Sequence, residues 1–369
     1  MNQLFRWDQM GLFLLALAAG ILPFAVPEVC AAALREGLTL CSGPLLLSLF
    51  PFLVVSRLLI QCPESDLLAL PFRLAAWGIG IRTPCAARVL CIGFLGGFAP
   101  AASAAAQAVR TGQLTAEEAD ALLPACICSG PSFVVLTVGQ SLLGSAELGV
   151  LLFASQITAN YLTAALLNRF AGVRSVKPGS AAPASPAPPR LDEILADAAI
   201  TYCKLCGFIL FFRMLAAGAG ALLPAGAGTL CSILLEVCSG CDLASRTGRW
   251  GSLLCCAALS VQGLSVLLQV RTICPAEMTL RPLYRARMLH LPLSLALFYL
   301  LLPGGEADVF STLPARVLLM RRVPPDCALL VFAVCCMAAC TLRSGIRQVE
   351  QKQMARNAGG CCINSKTLL

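Results

Sequence analysis

The sequence predicts an all-α protein that crosses a membrane several times, and three observations support that fold class. Only 12% of the 369 residues are charged, against roughly 25% in soluble chains. Apolar residues make up 58% of the chain, and their runs approach the roughly 20 residues that a membrane-crossing helix needs. Lys and Arg total 27 while Asp and Glu total 19, an excess that in a membrane protein reports orientation. The lipid bilayer is therefore the first predicted partner, and no nucleic acid is expected.

The residue types of acid–base chemistry are scarce. The chain holds one histidine, His290, and no arrangement of Ser, His and Asp or of paired carboxylates emerges from the sequence. We therefore expect neither an enzyme nor a cofactor, and we interpret His290 as a structural residue.

The 21 cysteines are interpreted as small packing residues. Most of them lie inside apolar runs, where free cysteine behaves as a small hydrophobe. Two pairs, Cys203 with Cys206 and Cys238 with Cys241, have the CxxC spacing of a zinc or redox pair. No histidine lies near either pair, so the sequence predicts no metal site.

A proline-rich segment divides the chain. Residues 171–190 read AGVRSVKPGSAAPASPAPPR, a composition without apolar periodicity that is typical of an extended linker. Its Lys and Arg residues predict a cytoplasmic position, and the same rule places the basic C-terminal tail there. The predicted organisation is a first membrane half with a repeat at 1–170, the linker at 171–190, a second membrane half with a repeat at 191–342, and the tail at 343–369.

Each half offers five apolar stretches. The first stretch, 11–27, is interpreted as an uncleaved helix and not as a signal peptide. A signal peptide begins with a positively charged region, and Arg6 is the only basic residue before this stretch. Thr115 and Glu118 have the spacing of a capping box that starts a helix. The stretches are 11–27, 44–62, 85–109, 122–143 and 147–168 in the first half, and 205–223, 226–240, 251–271, 283–302 and 326–342 in the second.

Because the linker and the tail are both expected on the cytoplasmic side, an even number of the second-half stretches must cross. The stretch 226–240 is short, is flanked by glycines and carries Glu236. We expect it to be re-entrant, with Glu236 as a site candidate, since a carboxylate at membrane depth usually marks a substrate or ion path. The alternative is a water-exposed residue at a loop edge. A buried Glu236 would need a partner, for which Arg57, Arg213 and Gln269 are the candidates.

A helix break is also predicted inside 122–143. Gly130 and Pro131 interrupt the apolar sequence there and would leave backbone groups free for a ligand. Ser129, Gly130 and Pro131 are therefore site candidates.

Two arginines, Arg57 and Arg213, lie inside long apolar runs, where an arginine at the bilayer centre costs roughly 2.5 to 3.5 kcal/mol. Either they face a cavity and attract an anion, or they reach an interface or pair with Glu236. The segments around them align weakly, Phe52 with Phe208 and Arg57 with Arg213, which is the pattern of an internal repeat.

Several short motifs follow one another between residues 44 and 302. They are Ser48-Leu49-Phe50-Pro51-Phe52, Gly130-Pro131-Ser132-Phe133, Gly144-Ser145-Ala146-Glu147-Leu148-Gly149, Leu235-Glu236-Val237-Cys238-Ser239-Gly240, Gly263-Leu264-Ser265-Val266 with Gln269, and Arg287-Met288-Leu289-His290. In combination they resemble the sporulation integral membrane proteins of the YlbJ type, which carry the nucleoside-recognition, or Gate, domain. The resemblance implies two Gate-like helical repeats with broken or re-entrant helices, and it adds Ser239, Ser265 and Gln269 to the site candidates.

The resemblance also implies transport of a small anionic substrate, dipicolinate, across the outer forespore membrane of an endospore-forming bacterium. A small planar dianion would suit two intramembrane arginines and helix N-termini exposed at breaks. One alternative is a nucleoside or nucleobase transporter, in which Glu236, Gln262 and Gln269 would bind ribose and base. The other is a membrane scaffold that transports nothing and assembles with itself or with other sporulation membrane proteins.

Overall fold

The computed structural model describes residues 2–61, 65–171 and 191–302. In these residues every regular element is a helix, and four segments are long and apolar enough to cross a membrane: Pro27–Leu47, Ala146–Phe170, Leu191–Leu222 and Gly248–Ile273. The protein is therefore an all-α polytopic membrane protein, as its composition predicts. The C-terminal tail, most of the linker and the predicted stretch 326–342 lie outside the described residues.

Both halves combine long helices with a run of short ones. In the first half they are α1 (Asn2–Ala25), α2 (Pro27–Ser42), α3 (Pro44–Gln61), α4 (Ser65–Leu68), α5 (Leu70–Gly78), α6 (Pro84–Gly96), α7 (Phe98–Arg110), α8 (Ala116–Cys126), a π-helical segment (Ser132–Leu142) and α9 (Ala146–Ala171). In the second half they are α10 (Leu191–Leu222), α11 (Ala225–Leu235), α12 (Val237–Ser245), α13 (Gly251–Val261), α14 (Gly263–Ile273) and α15 (Arg281–Leu301).

Two pairs of short helices form hairpins. Helices α6 and α7 pack against each other on either side of Gly97, and α11 and α12 do so on either side of Glu236. The longest of the four, α6 and α7, have 13 residues each and are only about 20 Å long, against a hydrocarbon core of roughly 30 Å. Within the second hairpin, a Cβ on Gly240 would lie 2.8 Å from the Cα of Ile233. Neither arm of a hairpin is long enough to cross the bilayer.

Each hairpin is followed by an interrupted helix, and the hairpin tip touches the interruption. Residues 127–131 separate α8 from the π-helical segment, and Gln262 separates α13 from α14. A Cβ on Gly97 would lie 2.6 Å from the backbone nitrogen of Gly130. A Cβ on Gly263 would lie 2.9 Å from the backbone nitrogen of Glu236. Glycine at these two contacts lets the backbone of the tip reach the backbone of the break.

Hydrogen bonds between connecting segments show where the first hairpin opens. Thr83, just before α6, donates from Oγ1 to Oε1 of Glu118 at 2.6 Å. Asn168, near the end of α9, donates from Nδ2 to the carbonyl oxygens of Ile79 and Ala121 at 3.0 and 3.1 Å. The first hairpin therefore opens toward the end of the bundle at which α9 reaches the linker.

The second hairpin opens at the opposite end. Asp197, in the N-terminal part of α10, forms an ion pair with Arg57 and lines one cleft with Arg110 at the end of α7. Helix α10 therefore begins at the linker end, and its 32 residues carry the chain to the far end at Leu222. Hairpin α11–α12 follows directly, so the two hairpins enter the bundle from opposite ends.

Two sequence predictions about local structure are confirmed. Thr115 and Glu118 form a capping box at the start of α8. The chain leaves helical geometry at 127–130, where the sequence predicts a break. The predicted re-entrant stretch 226–240 contains two short helices joined at Glu236, whose backbone is extended with φ −150° and ψ 125°.

Two predicted apolar stretches are each divided into two helices in the structure. The stretch 85–109 is interrupted at Gly97, whose φ is +80°, and 251–271 is interrupted at Gln262, whose φ is +61°. Both interruptions lie in sequence that stays apolar on each side, so hydropathy alone does not register them. Helix α2 coincides with none of the predicted stretches, because Glu28, Arg35 and Glu36 lower the hydropathy of its segment.

Opposite entry of the hairpins predicts the sidedness of three loops. An epitope inserted at Gly112, between α7 and α8, should be accessible from the same side as one inserted at Ser185 in the linker. An epitope at Gly248, between α12 and α13, should be accessible only from the other side. Gly112 and Gly248 have open space around them, so insertions there should disturb packing little. Protection from an added protease in sealed and in permeabilised vesicles measures this, and labelling of all three loops from one side would contradict it.

Candidate functional site

Glu236 caps the N-terminus of α12. Its carboxylate accepts hydrogen bonds from the backbone nitrogens of Cys238 and Ser239, at 2.8 and 2.7 Å, and from Ser239 Oγ at 2.9 Å. The residue is 2% exposed. A carboxylate at this position compensates the positive end of the helix dipole and the free amides of the first turn. The buried carboxylate therefore has the hydrogen-bond partner that the sequence says it needs, but that partner is the first turn of α12. The hydrogen bonds described at Glu236 include none from Arg57, Arg213 or Gln269, while the charge of Arg213 still acts on the carboxylate.

The two arginines that lie inside apolar runs have separate carboxylate partners. Nη1 of Arg57 lies 2.5 Å from Oδ2 of Asp197 on α10, and Nη2 of Arg213 lies 2.8 Å from Oε2 of Glu36 on α2. In both pairs the carboxylate side chain is the exposed member, at 61% for Asp197 and 66% for Glu36. The structure thus places Arg57 and Arg213 at two different locations, and neither contacts Glu236.

A cleft of about 150 Å³ lies between α3, α7, α10 and α14. Three cationic side chains line it, Arg57, Arg110 and Lys204, together with a single carboxylate, Asp197. The remaining wall combines hydroxyl and amide groups with apolar side chains. These residues are Ser103, Thr201, Gln269 and Thr272 on the polar side, and Ala106, Ile200, Leu205, Phe208 and Ile273 on the apolar side.

The charge balance of the cleft favours an anion. Three cations face one carboxylate, and low-dielectric walls strengthen the field of charges that line a concave site. The apolar wall formed by Ile200, Phe208 and Ile273 offers contact area to the uncharged body of a ligand. A small molecule that combines negative charge with a flat apolar surface matches both features.

Gln269 offers an unused acceptor at this cleft. Its Nε2 donates to Ser265 Oγ at 2.9 Å, while its Oε1 has no hydrogen-bond partner among the described residues. The side chain is 2% exposed. Leaving a buried carbonyl oxygen unpaired costs about 1 to 3 kcal/mol, so a donor on a ligand would be stabilising there. Two predicted site residues, Arg57 and Gln269, therefore line the same cleft. A third, Ser265, accepts the hydrogen bond from Gln269.

The other predicted residues lie elsewhere. Ser129, Gly130 and Pro131 form the break that packs against the tip of the first hairpin, and Ser239 belongs to the cap around Glu236. None of these four lines the cleft. Backbone contacts close both breaks in this structure, and the open basic cleft lies apart from them.

Three charged residues of the cleft were not among the predicted site residues. Arg110 begins a polar segment that is typical of a connection between helices. Lys204 lies between Cys203 and Cys206, whose CxxC spacing is the more evident pattern. Asp197 lies in a polar helical start that resembles a solvated face. The signal that would have found Lys204 is its place as a charged residue within the long apolar run that follows the linker.

Comparisons with known protein families, with characterised proteins and with solved structures find no match for this chain. The fold and the cleft together define the class as a polytopic helical membrane protein with interrupted helices and a basic cleft between them.

The cap at Glu236 leads to a stability prediction. Glu236→Ala removes the acceptor of two backbone donors and should lower the free energy of unfolding by about 1 to 3 kcal/mol. Glu236→Asp keeps a capping carboxylate and should lose much less. Thermal unfolding of the purified protein in detergent measures both. The matched control is Glu147→Ala, which removes an exposed carboxylate from the first turn of α9, and a loss there equal to that of Glu236→Ala would contradict the cap.

Proposed function

We propose that this protein is a membrane transporter or conduit for a small anion that binds in the cleft between α3, α7, α10 and α14. The observation that carries the proposal is the set of three cations, Arg57, Arg110 and Lys204, opposed by a single carboxylate in a cavity between helices. A surplus of positive charge that lines a concave surface attracts and orients an anionic ligand.

Asp197 gives the site a way to stay stable when it is empty. Arg57 is largely buried, with 10% of its side chain exposed, and without a counter-charge it would be expensive at membrane depth. Asp197 supplies that charge from a position that is 61% exposed, so its carboxylate returns to water at low cost. An entering anion exchanges with Asp197 at Arg57, which keeps the arginine paired throughout.

The arrangement of hairpins supports a transport role. Two hairpins enter from opposite ends, and each is followed by an interrupted helix that its tip touches. We propose that these units form an inverted repeat, the architecture in which many secondary transporters alternate access by moving one unit against the other. The contacts Gly97 to Gly130 and Gly263 to Glu236 would then be the surfaces that separate or slide when the protein opens.

For the substrate, we propose dipicolinate, moved across the outer forespore membrane. The sequence resemblance to sporulation membrane proteins of the YlbJ type supports that choice, and the cleft fits the chemistry of the ligand. A planar ring with two carboxylates can place one on Arg57 and the other on Lys204 or Arg110 while the ring contacts the apolar wall.

A scaffold that transports nothing is the second candidate. The closed state of both breaks favours it, since a purely structural protein fills such interruptions with its own backbone. The basic cleft argues the other way, because a scaffold has no need to hold three cations around an open cavity at a cost in self-repulsion.

Uptake by proteoliposomes tests the proposal. The wild-type protein should accumulate labelled dipicolinate above the level of protein-free vesicles. Arg57→Gln and Lys204→Gln should each reduce uptake at low substrate concentration about tenfold or more, because each removes a charge-assisted hydrogen bond. Asp197→Asn should lower the concentration for half-maximal uptake, since it removes the competing carboxylate.

Arg213→Gln is the matched control, because it removes an arginine that also lies in an apolar run and has a carboxylate partner, but lines no part of the cleft. Equal loss of uptake in Arg213→Gln and Arg57→Gln would show that the cleft is not the anion-binding site. Uptake by the wild type at the level of empty vesicles would favour the scaffold, and competition by nucleosides with no competition by dicarboxylates would favour nucleoside transport.

A further inference from the structure

Arg287 is a buried cation with an unusual set of partners. It lies on α15 and is 7% exposed. The ion pairs found in the described residues join Arg57, Arg88, Arg213 and Arg246 to carboxylates, but none of them includes Arg287. Its charge must therefore be balanced by another kind of group.

That group is a pair of backbone carbonyls at the two helix interruptions. Nη2 of Arg287 donates to the carbonyl oxygen of Ile127 at 2.5 Å, and Nη1 donates to that of Ser260 at 3.3 Å. Ile127 is the C-cap of α8, and Ser260 lies in the last turn of α13. The guanidinium thus bridges the C-terminal ends of the first halves of both interrupted helices.

Helix C-termini are electrostatically suited to a cation. The last carbonyls of a helix lack intrahelical partners and carry the negative end of the helix dipole. In an apolar environment such carbonyls must be satisfied internally, and in transporters the C-terminal ends of interrupted helices coordinate small cations. Two such ends that converge on one point form a cation site without any carboxylate.

Neutral polar groups complete the surroundings. Asn160 donates from Nδ2 to the carbonyl oxygen of Ile127 at 3.3 Å. Gln156 donates from Nε2 to Ser260 Oγ at 3.0 Å, and Ser260 Oγ lies 2.5 Å from Ser294 Oγ. This network holds the carbonyl of Ile127 and the last turn of α13 in place from α9 and α15. It contains no acidic side chain, so the carbonyl dipoles alone offset the guanidinium charge.

We propose that the junction of the two interrupted helices is a cation-binding site whose occupant is the Arg287 side chain. The chain supplies its own cation at the point where a free cation would otherwise bind. Removing the side chain leaves a site for a guanidinium ion, and the intact protein has no specific requirement for sodium there. The inference concerns the junction alone and holds whether or not the protein transports an anion.

Chemical rescue of Arg287→Ala tests the site. Thermal unfolding of the purified variant is followed in detergent with millimolar guanidinium chloride or tetramethylammonium chloride, at constant ionic strength. Guanidinium should raise the unfolding temperature of Arg287→Ala by about 2 to 4 °C, because a ligand that binds only the folded state stabilises it. Tetramethylammonium cannot donate hydrogen bonds and should have no effect. The wild type should respond to neither ion, nor to exchange of sodium for choline.

Arg285→Ala is the matched control, because Arg285 lies two residues earlier on the same helix and is exposed. It loses the same charge and should not respond to guanidinium. An equal response of Arg285→Ala and Arg287→Ala, or no response of Arg287→Ala, would overturn the proposal. So would a sodium-specific rise in the unfolding temperature of the wild type.

A second pair of variants decides the matter if Arg287→Ala does not accumulate. Arg287→Lys keeps a cation and Arg287→Met keeps an unbranched side chain without charge. The proposal predicts that Arg287→Lys accumulates as folded protein to a higher level than Arg287→Met. Equal or lower accumulation of Arg287→Lys would show that packing, and not charge, holds the junction.

Discussion

The constraint on which this structure depends is the need to satisfy backbone polar groups where helices are interrupted inside apolar surroundings. The described part of the chain meets it in two different ways. Glu236 caps the N-terminus of α12 with its carboxylate, and Arg287 binds the carbonyls at which α8 and α13 end. Without these solutions, unpaired amides and carbonyls would each cost several kcal/mol in a bilayer.

The close approach of the hairpin tips leaves little space for a ligand at the breaks. The buried side-chain amide of Gln262, which is 1% exposed, nevertheless has no hydrogen-bond partner among the described residues. The open polar surface lies instead between α3, α7, α10 and α14, where the charges of Arg110 and Lys204 have no ion-pair partner that the structure describes. In the proposed function, the breaks are the surfaces along which the two units move, and the cleft provides the recognition chemistry.

The sequence predicted the features that leave a local mark and missed those set by distant parts of the chain. Gly130 and Pro131 mark a break by their own backbone chemistry, whereas at the second break the left-handed φ of +61° belongs to Gln262, a residue type that does not predict one. The sequence marks Glu236 as a carboxylate in an apolar stretch, but its hydrogen-bond partners belong to the helix that it starts and not to a distant side chain. Arg57 is also marked by its apolar run, yet its partner lies 140 residues away, a separation that no local pattern reports.

A cryo-EM map of the wild-type protein in lipid nanodiscs saturated with dipicolinate, compared with one recorded in chloride alone, tests the central claim most directly. The account predicts planar density in the cleft within hydrogen-bonding distance of Arg57 and Lys204, with the carboxylate of Asp197 moved away from Arg57. Density against Ser129 or Glu236 instead, or two identical maps with the Arg57 to Asp197 pair intact, would contradict it.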